Sequence, residues 1–78
     1  MITYIVGPPA SGKTMIAHGL AAMLTERGGK PWIEGDPTPA RIEKMAAWHT
    51  DVIVCWPGAI DPGAPAPDYI IHTERREP

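Results

Sequence analysis

The chain has 78 residues, 44% of them hydrophobic, and a formal net charge of -2. A chain this short holds one small domain with a modest core. Its near-balanced charge leaves no electrostatic footprint for duplex nucleic acid or for an anionic membrane surface. The single cysteine, Cys55, excludes an internal disulfide and a zinc cluster of the usual Cys/His spacing.

Residues 2–6, Ile-Thr-Tyr-Ile-Val, are β-branched and aromatic and stop at Gly7-Pro8-Pro9, which predicts a buried strand ending in a loop. The run is too short for the apolar part of a signal peptide, and no later run approaches membrane-spanning length. Together with the lone cysteine this gives the expectation of a soluble, unprocessed, cytoplasmic protein with no membrane partner. Over residues 13–27 the periodicity becomes helical. Ile16, Leu20 and Leu24 form one stripe with Ala17 and Ala21 beside it, and Gly28-Gly29 is a stop signal.

Residues 30–34 read as a short second strand broken by Gly35-Asp36-Pro37. Thr38 then caps a helix that opens on Pro39 and places Ile42, Met45, Ala46 and His49 on one face. Residues 52–56 form an all-apolar run of the kind found in parallel strands buried on both faces. The proline-rich stretch 57–67 is a loop, and residues 69–72, Tyr-Ile-Ile-His, are a fourth strand. The domain is therefore expected over residues 1–72. Residues 73–78 form a charged tail whose first residues can extend the fourth strand.

Between the first strand and the first helix lies Gly7-Pro8-Pro9-Ala10-Ser11-Gly12-Lys13-Thr14, a full match to G-x-x-x-x-G-K-[ST]. Gly7 and Gly12 permit backbone angles and close approach that a side chain blocks, so successive N–H groups can turn toward a phosphate. The loop feeds a helix N-terminus, whose unpaired N–H groups and dipole favour negative charge. Lys13 is expected to reach the β- and γ-phosphates of a nucleotide, and the Thr14 hydroxyl to hold Mg²⁺. Ser11 is a weaker candidate for a phosphate contact.

These residues resemble the Walker A motif of P-loop NTPases, and the flanking elements resemble their mononucleotide-binding core. The resemblance covers roughly the first seventy residues, although only the loop is specific. It implies an α/β fold with a small parallel sheet of about four strands, ordered 2-3-1-4, flanked by helices. The Gly-Pro-Pro start is common to nucleotide kinases and AAA-type ATPases. Trp32-Ile33-Glu34-Gly35-Asp36 is similar to the acidic ending of the second strand in small-molecule kinases such as the shikimate and gluconate kinase-like enzymes. That likeness puts Glu34 near the metal and makes Asp36 the base or substrate-positioning carboxylate. The alternative is that Asp36 caps a turn before Pro37 and Glu34 is solvated at a strand end.

The departures are as specific as the match. A Walker B strand ends in an acid, whereas the third strand here ends in Cys55-Trp56-Pro57. Asp51 lies at the wrong end of a parallel strand, because about four residues at ~3.3 Å each separate the two ends. Asp61 can substitute only if its loop folds back; otherwise it is a turn acid before Pro62. The 57–67 loop carries no Lys or Arg, so it lacks the arginine-bearing lid that kinases close over phosphates, and Arg75 and Arg76 are the late sources of positive charge. No Asn-Lys-x-Asp follows a strand, which makes ATP the default nucleotide.

Trp56 either stacks on a base or packs in the core, whereas Trp32 and Trp48 are expected in the core. His18 is expected to be exposed, His49 and His72 lack a partner of ligand type, and Cys55 is read as inert packing. Three functions remain: nucleotide binding with weak hydrolysis or kinase-like phosphoryl transfer, a non-catalytic nucleotide-binding module, and a P-loop scaffold acting as a regulator or inhibitor of a partner protein. With no helix after the third strand, one sheet face is expected to be poorly covered. That favours a homodimer or a protein partner, unless the 57–67 loop folds across the face.

Overall fold

A computed structural model of the chain describes residues 1–9 and 11–74. In chain order the elements are β1 (Ile2–Val6), α1 (Lys13–Glu26), β2 (Pro31–Glu34), α2 (Pro39–Trp48), β3 (Asp51–Cys55) and β4 (Tyr69–His72). The four strands form one sheet ordered β2-β3-β1-β4. Every pairing is parallel, with Ile2 opposite Val52, Thr3 opposite Tyr69 and Ile33 opposite Ile53. The order and direction expected from the resemblance are therefore present.

Consecutive apolar residues occupy β1 and β3 because these strands are central and covered on both faces. Tyr4, Ile5, Val52, Ile53 and Val54 are all at most 1% exposed. The alternation of strand side chains sorts them into two clusters. Ile5 and Ile53 pack against α1, while Tyr4, Val52 and Val54 pack with Ile42 and Trp56 on the other side.

The seam of α1 is Ala17, Leu20, Ala21 and Leu24. Ala17 is completely buried while Ile16 is 37% exposed, so the buried stripe sits one position round from the one that the large side chains suggest. Alanine on the sheet-facing line lets the helix backbone approach the strands closely, and the larger isoleucine is turned outward. The helix ends as its glycines require. Gly28 adopts φ 85, the Gly28 N–H donates to Thr25 O at 3.0 Å, and the Gly29 N–H donates to Leu24 O at 2.9 Å. These are the two bonds of a Schellman motif.

In α2, Thr38 Oγ1 accepts from the Arg41 N–H at 3.2 Å, and Pro39 opens the helix. Ile42 is fully buried on the sheet and Met45 packs beside it. Trp48 does not join the core and is 74% exposed. Six residues past Ile42 at about 100° each bring it about 120° round the helix, away from the sheet.

The sheet face opposite α1 is covered by α2 and by residues 57–67. Ile60 and Ala64 pack against the cluster around Tyr4 and Trp56, and the Tyr4 hydroxyl donates to Pro65 O. This loop is thus the cover that replaces a third helix, and the expected bare face is not found there. Apolar surface is instead open beside β4 at the edge, where Tyr69 is 59% and Ile70 47% exposed. A groove of about 280 Å³ runs there between Leu20 and Leu24 of α1 and Tyr69, Ile70 and Ile71 of β4. Among the described residues no helix is long and apolar enough to cross a membrane.

Candidate functional site

Gly7, Pro8, Pro9, Ser11, Gly12, Lys13 and Thr14 come together where the C-terminal end of β1 meets the start of α1. Ala10 lies outside the described residues, as do Arg75 and Arg76. Gly12 is the N-cap of α1 in the left-handed region, at φ 84 and ψ 19, and no side chain caps the helix. The Ile16 N–H makes the first helical bond, to Gly12 O at 3.0 Å. The N–H groups of Gly12, Lys13, Thr14 and Met15 therefore have no partner within the helix.

Lys13 Nζ donates to Gly7 O at 2.6 Å and to Pro8 O at 3.0 Å, bridging the loop from within. An ammonium has three donors, and among the described residues Lys13 meets these two acceptors, which leaves one donor for an anion. Gly7 is required by a close approach: a Cβ there would collide with Thr73 Oγ1 and sit 2.7 Å from the Thr73 carbonyl oxygen. A cleft of about 480 Å³ opens above the loop, lined by Pro9, Ser11, Gly12, Lys13, Thr14 and Pro57. Thr14 is exposed at its rim. Free N–H groups, a spare ammonium donor and an accessible hydroxyl fit a bound polyphosphate and its Mg²⁺.

The two acids of β2 have different surroundings. Glu34 is 3% exposed; its Oε1 accepts from Arg41 Nε at 2.6 Å and Trp32 Nε1 at 3.1 Å, and its Oε2 accepts from the Asp36 N–H at 3.2 Å. Arg41 also lies over the Trp32 ring, 5.8 Å from its centroid. Asp36 is exposed. Neither acid lines the cleft, because β3 stands between β2 and β1 and two strand spacings amount to ~10 Å.

At the end of β3, Cys55 lies against the first turn of α1, its Sγ 3.9 Å from Lys13 O. Burial raises its pKa, an effect partly opposed by the Lys13 charge, so the group is a neutral thiol at neutral pH. Asp51 is at the opposite end of β3 and accepts from the Thr50 hydroxyl at 3.0 Å. Asp61 accepts from the Gly63 N–H at 2.8 Å, as a turn acid does. The Trp56 ring is 3% exposed and meets Tyr4 edge to face at 5.3 Å, which is core packing.

Thr73, the first residue of the charged tail and the one that can extend the fourth strand, is 8% exposed. Its N–H donates to Val6 O at 2.8 Å, and its hydroxyl bonds the Ser11 hydroxyl. The available signal was a β-branched residue directly after Tyr69-Ile70-Ile71-His72, continuing the strand pattern before the charges begin. Among known proteins, no family model matches the chain, and neither a curated protein nor a solved structure matches it.

Proposed function

We propose that the chain is a minimal P-loop NTPase-like domain that binds a nucleoside triphosphate, Mg²⁺-ATP, through residues 7–14. The observation that carries this reading is the loop itself. A full G-x-x-x-x-G-K-[ST] sequence lies between β1 and α1, with Gly12 in the left-handed region and the Lys13 ammonium folded over the loop carbonyls. The N–H groups at the start of α1 would hold phosphate oxygens, and Lys13 would bridge the β- and γ-phosphates. The Thr14 hydroxyl would hold Mg²⁺, which when bound neutralises charge developing on the phosphates. Glu34 is engaged by Arg41 and Trp32 and stands outside the cleft, so it is not the metal-holding acid; exposed Asp36, also outside the cleft, would orient only an acceptor that extends from the phosphates toward β2.

A second reading, nucleotide binding without turnover, is favoured by the neutral Cys55 thiol that ends β3 where a metal-organising acid is expected. The experiment that tests binding is a melting series with millimolar Mg²⁺-ATP, GTP, ADP and AMP. A ligand at 100 times its dissociation constant adds about 2.7 kcal/mol to the native state. A rise in wild type that is absent in Lys13→Ala supports the proposal, and no rise, or an equal rise in both, removes it. Phosphate release above background then separates the enzymatic reading from the module.

A further inference from the structure

We propose that Thr73 is a positioning residue for the phosphate loop, holding its Ser11 corner through a hydroxyl relay that ends on the β1 backbone. The proposal rests on the nucleotide-binding reading above.

Thr73 follows β4 and stands beside the loop because β4 is the parallel neighbour of β1, with His72 opposite Val6. Its hydroxyl oxygen contacts two groups, Val6 O at 3.2 Å and the Ser11 hydroxyl. A carbonyl oxygen can only accept, and a hydroxyl carries one proton. The arrangement that makes both contacts hydrogen bonds has Thr73 donating to Val6 O and Ser11 donating to Thr73. The Ser11 proton is then committed to the fold. The Ser11 side chain faces the cleft as an acceptor, so a phosphate oxygen is met there by backbone N–H groups and not by this hydroxyl.

The same residue sets the loop's first corner. The backbone of Thr73 comes so close to Gly7 that a side chain at position 7 has no room. Thr73 therefore touches the loop near both ends, at Gly7 by contact and at Ser11 by hydrogen bond. Gly7 and Ser11 are thereby held at a fixed span from each other before any ligand arrives, and such preorganisation lowers the ordering cost of binding.

The test uses the full chain with Thr73→Val, Thr73→Ser, Ser11→Ala and the Ser11→Ala/Thr73→Val pair. Calorimetric titration with Mg²⁺-ATP is combined with amide resonances of Ser11, Gly12 and Lys13 in the ligand-free protein. Thr73→Val is expected to weaken binding about tenfold and Thr73→Ser less than twofold, with the double variant no worse than the weaker single, as a shared hydrogen bond requires. The loop resonances should shift in Thr73→Val and return in Thr73→Ser. Wild-type affinity and unshifted loop resonances in Thr73→Val would overturn the proposal, as would losses that simply add in the double variant. If Thr73→Val does not fold, Thr73→Ser and Ser11→Ala decide: a serine that fails to keep wild-type resonances, or a Ser11→Ala variant with unchanged affinity, overturns it. If wild type binds no Mg²⁺-ATP, the nucleotide reading falls, and the ligand-free resonances alone decide whether Thr73 holds the loop.

Discussion

Arg41 Nε donates to Glu34 Oε1 at 2.6 Å, tying the first turn of α2 to the end of β2. The Glu34 side chain is 4% exposed and that of Arg41 is 44% exposed. Removing the arginine strands a buried carboxylate, but the open side of the pair lets water take part of its place. We expect Arg41→Ala to cost about 1–2 kcal/mol, below the figure for fully buried pairs. Urea unfolding monitored by tryptophan fluorescence measures it, and an unchanged midpoint would show that the pair contributes nothing net.

That engagement separates the two β2 acids in function. Glu34→Gln is expected to lower stability, with any turnover falling only in proportion to folded protein. Asp36→Asn should leave the midpoint within about 0.5 kcal/mol, as for exposed positions, and abolish phosphoryl transfer if there is any. Asp51→Ala, at the far end of β3, should leave turnover intact. Phosphate release from each folded variant is the measurement, and a specific loss in Asp51→Ala contradicts the site's location.

Gly7→Ala is expected to destabilise the fold by about 1–3 kcal/mol, the range for forcing extra volume into a packed site. Because the obstruction includes the Thr73 carbonyl, trimming the Thr73 side chain should recover only part of the loss. Thermal melts of Gly7→Ala with and without Thr73→Ala check this; full recovery would mean that the hydroxyl alone is the obstacle.

Alkaline pH should weaken the fold through Cys55 and Tyr4, whose ionisation burial pushes upward. A raised native pKa means that the folded state keeps its proton where the unfolded chain has lost it. Stability is therefore full below the ordinary values, 9.0 for the thiol and 10.0 for the phenol, and declines as pH rises through the native values. Unfolding midpoints measured upward from pH 8 should fall less steeply in Cys55→Ala than in wild type, and an identical slope would remove the thiol's share.

The exposed Tyr69 and Ile70 lie on an edge strand with one neighbour, which is where a second copy would add. Light scattering over a hundredfold concentration range is expected to show mass above the 8.4 kDa of one chain, reduced by Ile70→Lys. A constant monomer mass rules out self-association.

Much of this architecture is legible in the sequence because it is local. The apolar runs of β1 and β3, the Thr38-Pro39 helix start and the glycines after α1 each act on neighbours within a few residues. The relationships that escaped are set by tertiary geometry. Ala17 outranks Ile16 on the α1 seam because of how closely the helix approaches the sheet, and Trp48 faces outward because the sheet fixes Ile42, about 120° round α2 from it, as the buried side. Glu34 finds Arg41 across a turn, and Thr73 reaches the loop only because the strand order sets β4 beside β1. The loop itself could be read from spacing, whereas the groups that hold it could not.

Central β1 precedes both of its partners, Ile2 pairing with Val52 and Thr3 with Tyr69, so neither neighbour exists when β1 is made. Non-local parallel pairing of this kind requires loop closure before any contact rewards it, and it folds slowly for its size. During synthesis the loop and α1 emerge before β3 and β4, the strands against which they are shaped, and Thr73 emerges after all of them. A ligand that binds only the assembled loop would therefore report that β3, β4 and Thr73 have all joined β1.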